Sequence, residues 1–334
     1  MKTQDTPFRT IVDVPKWTEP MQKGQQFVLL GSCFAQNMGE LFQSYGLNVV
    51  CNPLGVTYNP ESIRIQVEKA LERVKNEGQG AGGKEQEDCS GCWYSLAPRP
   101  SPPAPLSSLF FFDGLWRSWW AGTRISDADE GRFRETIQVA FRELGEAIRK
   151  ADWLFLTLGT NVCYRLKENG MTVANCHKVP AANFDEVSLD LETCTKTLCS
   201  LVELLREECP HLQIVFTVSP YRYKKYGFHG SQLAKATLLL AVDKVCKLFP
   251  KSVRYFPAYE LLLDELRDYR FYADDMIHPA PMAVNYIWQR LTESCMDEEM
   301  RQYLHDYEPI RRAKKHVAHI LPSESHGIAE EGNT

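Results

Sequence analysis

No run in this chain approaches the roughly 20 consecutive apolar residues that a membrane-spanning helix needs, so a membrane-spanning protein is excluded. The opening Met1-Lys2-Thr3-Gln4-Asp5 has no apolar stretch behind its charge, and no secretory leader is expected. Positive charge is not in excess. The 38 Lys and Arg against 43 Asp and Glu give a net charge of -5, which leaves no global field to attract nucleic acid. The 11 cysteines are odd in number and show no framework spacing over 334 residues, so reduced thiols are expected rather than disulfides. With 44% hydrophobic and 24% charged residues, the chain is neither disordered nor collagenous. These absences together predict a cytoplasmic globular protein with no nucleic-acid partner and no membrane partner.

What is present is alternation. Phe27-Val28-Leu29-Leu30 reads as a strand and is followed by helical spacing from Phe34 to Tyr45. Leu47–Cys51 reads as a strand and Ser62–Val74 as an amphipathic helix. From Lys75 to Ser108 the composition changes: Gly78, Gly80, Gly82 and Gly83 come first, then Pro98, Pro100, Pro102, Pro103 and Pro105. Such a stretch buries too little apolar area to offset the entropy of ordering it, and it is read as a disordered insertion within residues 7–292. Alternation resumes with a helix over Glu135–Lys150 and the continuously apolar Trp153–Leu158, as in a strand buried on both faces. A hairpin over Val162–Leu166 and Thr172–Asn175 turns at Asn169-Gly170. Then come a helix (Leu189–Glu208), a strand (Ile214–Val218), a helix (Gln232–Leu248), a strand (Val253–Phe256) and helices over Tyr259–Arg267 and Met282–Leu291. Residues 293–334 form a helical extension and tail. Repeated β–α alternation predicts an α/β protein, a three-layer α/β/α sandwich on a mostly parallel sheet of about five strands. Function is then sought beyond the carboxyl ends of the strands.

The first strand ends in Gly31-Ser32-Cys33-Phe34-Ala35. A Ser between strand and helix is placed for a nucleophile, with the unpaired N–H groups of a helix N-terminus beside it; the same Ser can simply cap the helix. Near the other end, Asp275-Met276-Ile277-His278-Pro279 places a carboxylate three residues before an imidazole. One turn can thus supply a base, His278, and its orienting group, Asp275. Gly159-Thr160-Asn161 can aim an amide at an oxyanion, and Gly55 in Asn52-Pro53-Leu54-Gly55 can add a backbone N–H.

In this order the segments resemble the SGNH (GDSL-type) hydrolases, and Gly31-Ser32-Cys33-Phe34-Ala35 spells the signature of the bacterial GSCFA family. The likeness runs on through Tyr58-Asn59-Pro60, Asp113-Gly114-Leu115-Trp116, Tyr164-Arg165, Asn175-Cys176-His177-Lys178 and Ser219-Pro220 with Arg222, to His278-Pro279. The resemblance implies a flavodoxin-like fold and an esterase site. Ser32 would be the nucleophile, His278 the base and Asp275 its orienter. Ser32, Gly55 and Asn161 would form the oxyanion hole. The first block departs from the superfamily's Gly-Asp-Ser. The expected substrate is an acyl ester, acetyl among them, of a carbohydrate or small molecule; the alternative is a non-catalytic binding module using the same pocket.

For the substrate, Gly159, Thr160, His177, Arg222, His229 and Trp116 are candidates. Cys176 and His177 are adjacent and point to opposite faces of a strand, so they do not act on each other. His177 is either pocket wall or a structural histidine, and Arg222 and His229 either bind substrate or serve as salt bridge and cap. Lys235 is either a snorkelled surface group or a buried partner to a carboxylate. Cys33 is a rival nucleophile, but successive residues at one turn cannot both face the pocket, and packing behind the helix is its expected role. The Cys89-Ser90-Gly91-Cys92 pair lacks a second pair, so zinc is not expected. Ser–His–Asp chemistry needs no Lewis acid, and neither metal nor cofactor is expected.

Overall fold

The computed structural model describes residues 10–78 and 108–320. In chain order the elements are β1 (Gln26–Gly31), α1 (Cys33–Ser44), β2 (Asn48–Cys51), α2 (Pro60–Gly78), β3 (Leu109–Phe112), β4 (Leu115–Ser118), α3 (Glu130–Lys150) and β5 (Trp153–Leu158). These are followed by β6 (Val162–Leu166), β7 (Thr172–Val173), β8 (Phe184–Ser188), α4 (Leu191–Glu208), β9 (Gln213–Val218), α5 (Gly227–Leu248), β10 (Val253–Tyr255), α6 (Ala258–Glu260), α7 (Pro281–Cys295) and α8 (Glu298–Ile320). α2 continues helical to Gly78, past the point where the composition turns glycine-rich. The rest of the expected insertion, with Cys89 and Cys92, and the tail from Ser323 lie outside the described residues.

Five strands form one parallel sheet in the order β10-β9-β5-β1-β2, the doubly wound flavodoxin-like order, with its switch point between β1 and β5. Side chains alternate across the sheet, and each face has its own core. Val28, Leu30, Leu154, Leu156, Ile214 and Phe216 pack under α2, α3, α4 and α5. Phe27, Leu29, Trp153, Phe155 and Val215 pack under α1, α7 and α8. The chain is therefore a three-layer α/β/α sandwich, and its central strands are apolar throughout because neither face meets water. No helix among the described residues is long and apolar enough to cross a membrane.

Two antiparallel additions sit at the carboxyl end of the sheet. The expected hairpin is β6 with β7, and β8 pairs along its other side to make a three-stranded sheet. The second, β3 with β4, has its turn at Asp113-Gly114, both with positive φ. Its Leu-Phe-Phe-Phe run abuts the proline-rich stretch and lacks alternation, so periodicity alone did not reveal it.

The turn that ends β1 is held from several sides. Asn52, itself in the left-handed region, accepts the Gly31 N–H at 2.9 Å through Oδ1, while Thr57 N–H donates to the Gly31 carbonyl at 2.9 Å. Asn52→Ala leaves the buried Gly31 N–H without an acceptor and should cost about 1–3 kcal/mol, read as a lower denaturation midpoint at unchanged m-value.

Candidate active site

Gly31 carries the chain past β5 at a distance no side chain tolerates. Its φ is +131°, and an ideal Cβ would lie 2.2 Å from the Thr157 carbonyl oxygen. The next residue, Ser32, has extended backbone and is 1% exposed; its Oγ accepts the Phe34 N–H at 3.3 Å, so it is the N-cap of α1. Ser32 does not line the neighbouring pocket, whereas Cys33 does. The two residues of the turn face different ways: the Ser32 hydroxyl is in the helix cap, and Cys33 lines the pocket. The physical reason is the cap itself, which needs a hydroxyl folded back onto the first-turn N–H groups.

His278 reaches the same pocket from the turn before α7. Asp275 accepts the backbone N–H groups of Ile277 and His278 through Oδ1, both at 2.9 Å, and its Oδ2 takes the His278 Nδ1. Met276, with φ 60°, lets the chain bend tightly enough for this. With Nδ1 tied to the carboxylate, Nε2 is the ring nitrogen that remains for another partner. The imidazole leans on the Tyr221 ring, centroids 4.4 Å apart.

The charges follow from these contacts. The hydrogen bond to Cys33 holds the His278 imidazole up at about 9, with Asp275 adding to it against partial burial. Partial burial pushes the Asp275 carboxyl up, but the His278 N–H, the imidazole and the Ile277 N–H together hold it down at about 2. His278 thus adds stability that is complete below its ordinary 6.5 and vanishes as pH rises through about 9. Asp275 adds stability that is present above its ordinary 3.8 and vanishes as pH falls through about 2. The difference in melting temperature between wild type and Asp275→Asn should be widest from about pH 4 to 6.5 and close toward both extremes.

The pocket holds about 260 Å³. Tyr58, Tyr164, Tyr221 and Tyr223 form most of its walls, with Thr160, Asn59 and Cys176 between them. Burial pushes Tyr58, Tyr221 and Tyr223 up, so all three are neutral phenols near pH 7. At the rim, Lys225 meets Glu186 at 2.5 Å and also the Tyr164 hydroxyl. Among the described residues, no charged side chain other than His278 lines the cavity.

Several sequence candidates lie elsewhere. The Gly55 N–H donates to the Asn52 carbonyl at 2.7 Å, and its Cα face abuts Gly122, so that N–H is not available to an oxyanion. The Asn161 side-chain amide donates to the Leu189 carbonyl at 2.7 Å and Ser188 Oγ at 3.2 Å, fastening the start of α4 rather than facing the pocket. Gly159 is pressed against Tyr58, and its N–H and that of Thr160 donate to the Tyr58 carbonyl at 2.7 and 3.0 Å. Thr160 itself does line the pocket. His177 is 1% exposed and donates through Nε2 to the Ser118 carbonyl at 2.8 Å; burial pushes it down to about 4, so it is a neutral core histidine. The turn at His177-Lys178, both with positive φ, leaves its neighbour Cys176 in the pocket instead. Arg222 stacks over Phe228 at 4.8 Å, and its N–H donates to the Ile277 carbonyl at 3.0 Å, bracing the Asp275 turn. His229 is exposed on the first turn of α5, and Trp116 packs against Phe111 at 5.4 Å in the β3–β4 hairpin. Lys235 is neither snorkelled nor paired with a carboxylate; its partners are two backbone carbonyls.

Two donors near Cys33 escaped the sequence reading. As the first residue of α1, Cys33 has an N–H with no intrahelical acceptor. Asn59 lines the pocket with its Oδ1 on the Ser62 N–H at 2.9 Å, which leaves its amide NH2 without a partner among the described residues. Both belong to segments that the sequence pattern marks, but nothing in a Pro/Asn loop announces which atom is free. Among the described residues no three His, Cys, Asp or Glu side chains converge as a metal site requires.

Beyond the strand ends of this doubly wound α/β/α sandwich, Cys33 and His278 share one pocket and Asp275 holds the imidazole. The chain belongs to the GSCFA family, whose sequence model matches residues 26–100 and 103–291. No curated protein matches it. Among solved structures it is similar to an acetyl xylan esterase (Est2A) from the rumen bacterium Butyrivibrio proteoclasticus, at 15% identity and a TM-score of 0.27, over 43% of this chain and 36% of that one. It is also similar to a carbohydrate esterase family 3 protein from Talaromyces cellulolyticus, at 10% identity and a TM-score of 0.25, over 47% of this chain and 60% of that one. The chain thus spans about a third of the length of the first.

Proposed function

We propose that this chain hydrolyses acyl esters with Cys33 as the nucleophile, His278 as the general base and Asp275 as the group that orients it. The observation that carries the reading is that Cys33 and His278 share one pocket, with Asp275 behind the imidazole, while Ser32 caps the helix. His278 Nε2 takes the thiol proton, and the sulfur adds to the ester carbonyl carbon. The N–H of Cys33 and the Asn59 amide are the donors available to the oxyanion. Collapse of the tetrahedral species breaks the C–O bond, the imidazolium returns its proton to the leaving alcohol, and an acyl thioester remains on Cys33. His278 then deprotonates a water, which attacks the thioester; the carboxylic acid leaves and the thiol is regenerated.

Neutral tyrosine walls and a modest volume suit an uncharged acyl ester of a small molecule or carbohydrate, with acetyl as the first group to test. The assay is hydrolysis of p-nitrophenyl acetate. Wild type should turn it over, iodoacetamide should abolish turnover, and chelator should leave it intact. Because the working pair is thiolate and imidazolium, the rate should fall as pH rises through about 9, where His278 gives up its proton. Absence of turnover with any short-chain ester, or turnover indifferent to thiol alkylation, would contradict the reading.

A further inference from the structure

Lys235 sits on α5 with 1% of its surface exposed. Its Nζ donates to the Gly159 carbonyl at 2.6 Å and the Ser219 carbonyl at 2.8 Å. A buried ammonium usually has a carboxylate beside it, because removing an unpaired charge from water costs several kcal/mol. Lys235 forms no ion pair among the described residues, and the ring of Tyr259 lies 5.9 Å away. The ionisable group that acts on it across space is Cys33.

The sheet explains that proximity. Gly159 and Ser219 follow the last residues of β5 and β9, and β5 lies between β9 and β1. Thr157 pairs with Gly31, so β1 and β5 end side by side; Thr160, the residue after Gly159, and Tyr221, two residues after Ser219, line the same pocket as Cys33. The ammonium is thus held by the two strand ends whose following residues wall the pocket of Cys33.

We propose that Lys235 is a positioning charge for Cys33: its buried ammonium, clamped by the two strand-end carbonyls, is the counter-charge of the thiolate formed when the thiol gives its proton to His278. The S–H bond breaks, its electron pair stays on sulfur, and the proton moves to Nε2. This rests on the reading of Cys33 as nucleophile. The other titratable groups facing this pair are His278 from the turn before α7, Tyr58 from the loop before α2, Tyr221 from the loop after β9 and Tyr259 from α6. Burial pushes all three phenols up, so none competes as an anion near neutrality. Burial pushes Lys235 itself down to about 7, and Cys33 opposes that shift.

The experiment is the rate of Cys33 alkylation by iodoacetamide as a function of pH, located at Cys33 by tandem mass spectrometry, in wild type and Lys235→Met. In the folded variant the profile should move up by about one pH unit and the rate at pH 7 should fall about tenfold. An unchanged profile in folded Lys235→Met overturns the proposal and leaves Lys235 a clamp for two carbonyls. If Lys235→Met does not fold, the reciprocal measurement decides. Titration of Lys235 followed by NMR should shift to lower pH in Cys33→Ser by a comparable amount, since the coupling is mutual. The same midpoint in both proteins overturns the pairing. Neither readout depends on ester turnover, so an inactive chain still tests the pairing, and an active chain with an unshifted profile refutes the pairing alone.

Discussion

Cys33→Ala is expected to lower ester hydrolysis by about a thousandfold or more, since removing a covalent nucleophile leaves only the contribution of binding and oxyanion donors. Ser32→Ala is expected to behave differently in kind. It removes a helix cap and should lower stability by about 1 kcal/mol while most of the turnover remains. The two substitutions are adjacent, so the contrast cannot come from a general effect on the turn. Parallel kinetics and denaturant titrations of both variants check it. A Ser32→Ala protein as inactive as Cys33→Ala, at near-normal stability, would return the nucleophile to the serine.

Gly31→Ala should have the largest effect on the fold. The added methyl would lie 2.2 Å from the Thr157 carbonyl oxygen, and the φ of +131° is one that alanine strongly disfavours. Relief requires β1 to move off β5, yet Gly31 is paired with Thr157 in the middle of the sheet and Ser32 N–H donates to the same carbonyl at 3.2 Å. A loss of about 3 kcal/mol or more is expected, together with loss of alkylation selectivity at Cys33, because the turn that presents the thiol is displaced. Expression with a normal melting temperature would show that the turn is far softer than its contacts imply.

The central sheet was legible because its strands are buried on both faces and short enough to separate from helices by length. Trp153–Leu158 and Ile214–Val218 needed no alternation to be recognised, and the helix between them, α4, carries a 3.6-residue stripe through Cys194, Leu198, Leu201 and Leu205. The β3–β4 hairpin was not legible, since its apolar run follows directly on the proline-rich stretch. The Asp275–His278 turn was legible because a carboxylate and an imidazole three residues apart close on each other within one turn. The nucleophile proposed here, Cys33, was marked in register rather than residue type. In a Gly-Asp-Ser block the nucleophile stands two places after the glycine, and two places after Gly31 stands Cys33. Reading the familiar hydroxyl at Ser32 overrode that register. His177, Asn161 and Gly55 look available in sequence, yet each gives an N–H to a backbone carbonyl, those of Ser118, Leu189 and Asn52 respectively.

The most direct test is to trap and map the acyl-enzyme. Wild type mixed with p-nitrophenyl acetate and quenched in acid within the first turnover should carry one acetyl group on the peptide that follows β1. Tandem mass spectrometry should place it on Cys33, and neutral hydroxylamine should remove it as expected of a thioester. An acetyl group on Ser32 that resists neutral hydroxylamine, or burst release of p-nitrophenol with Cys33 unmodified, would contradict the account.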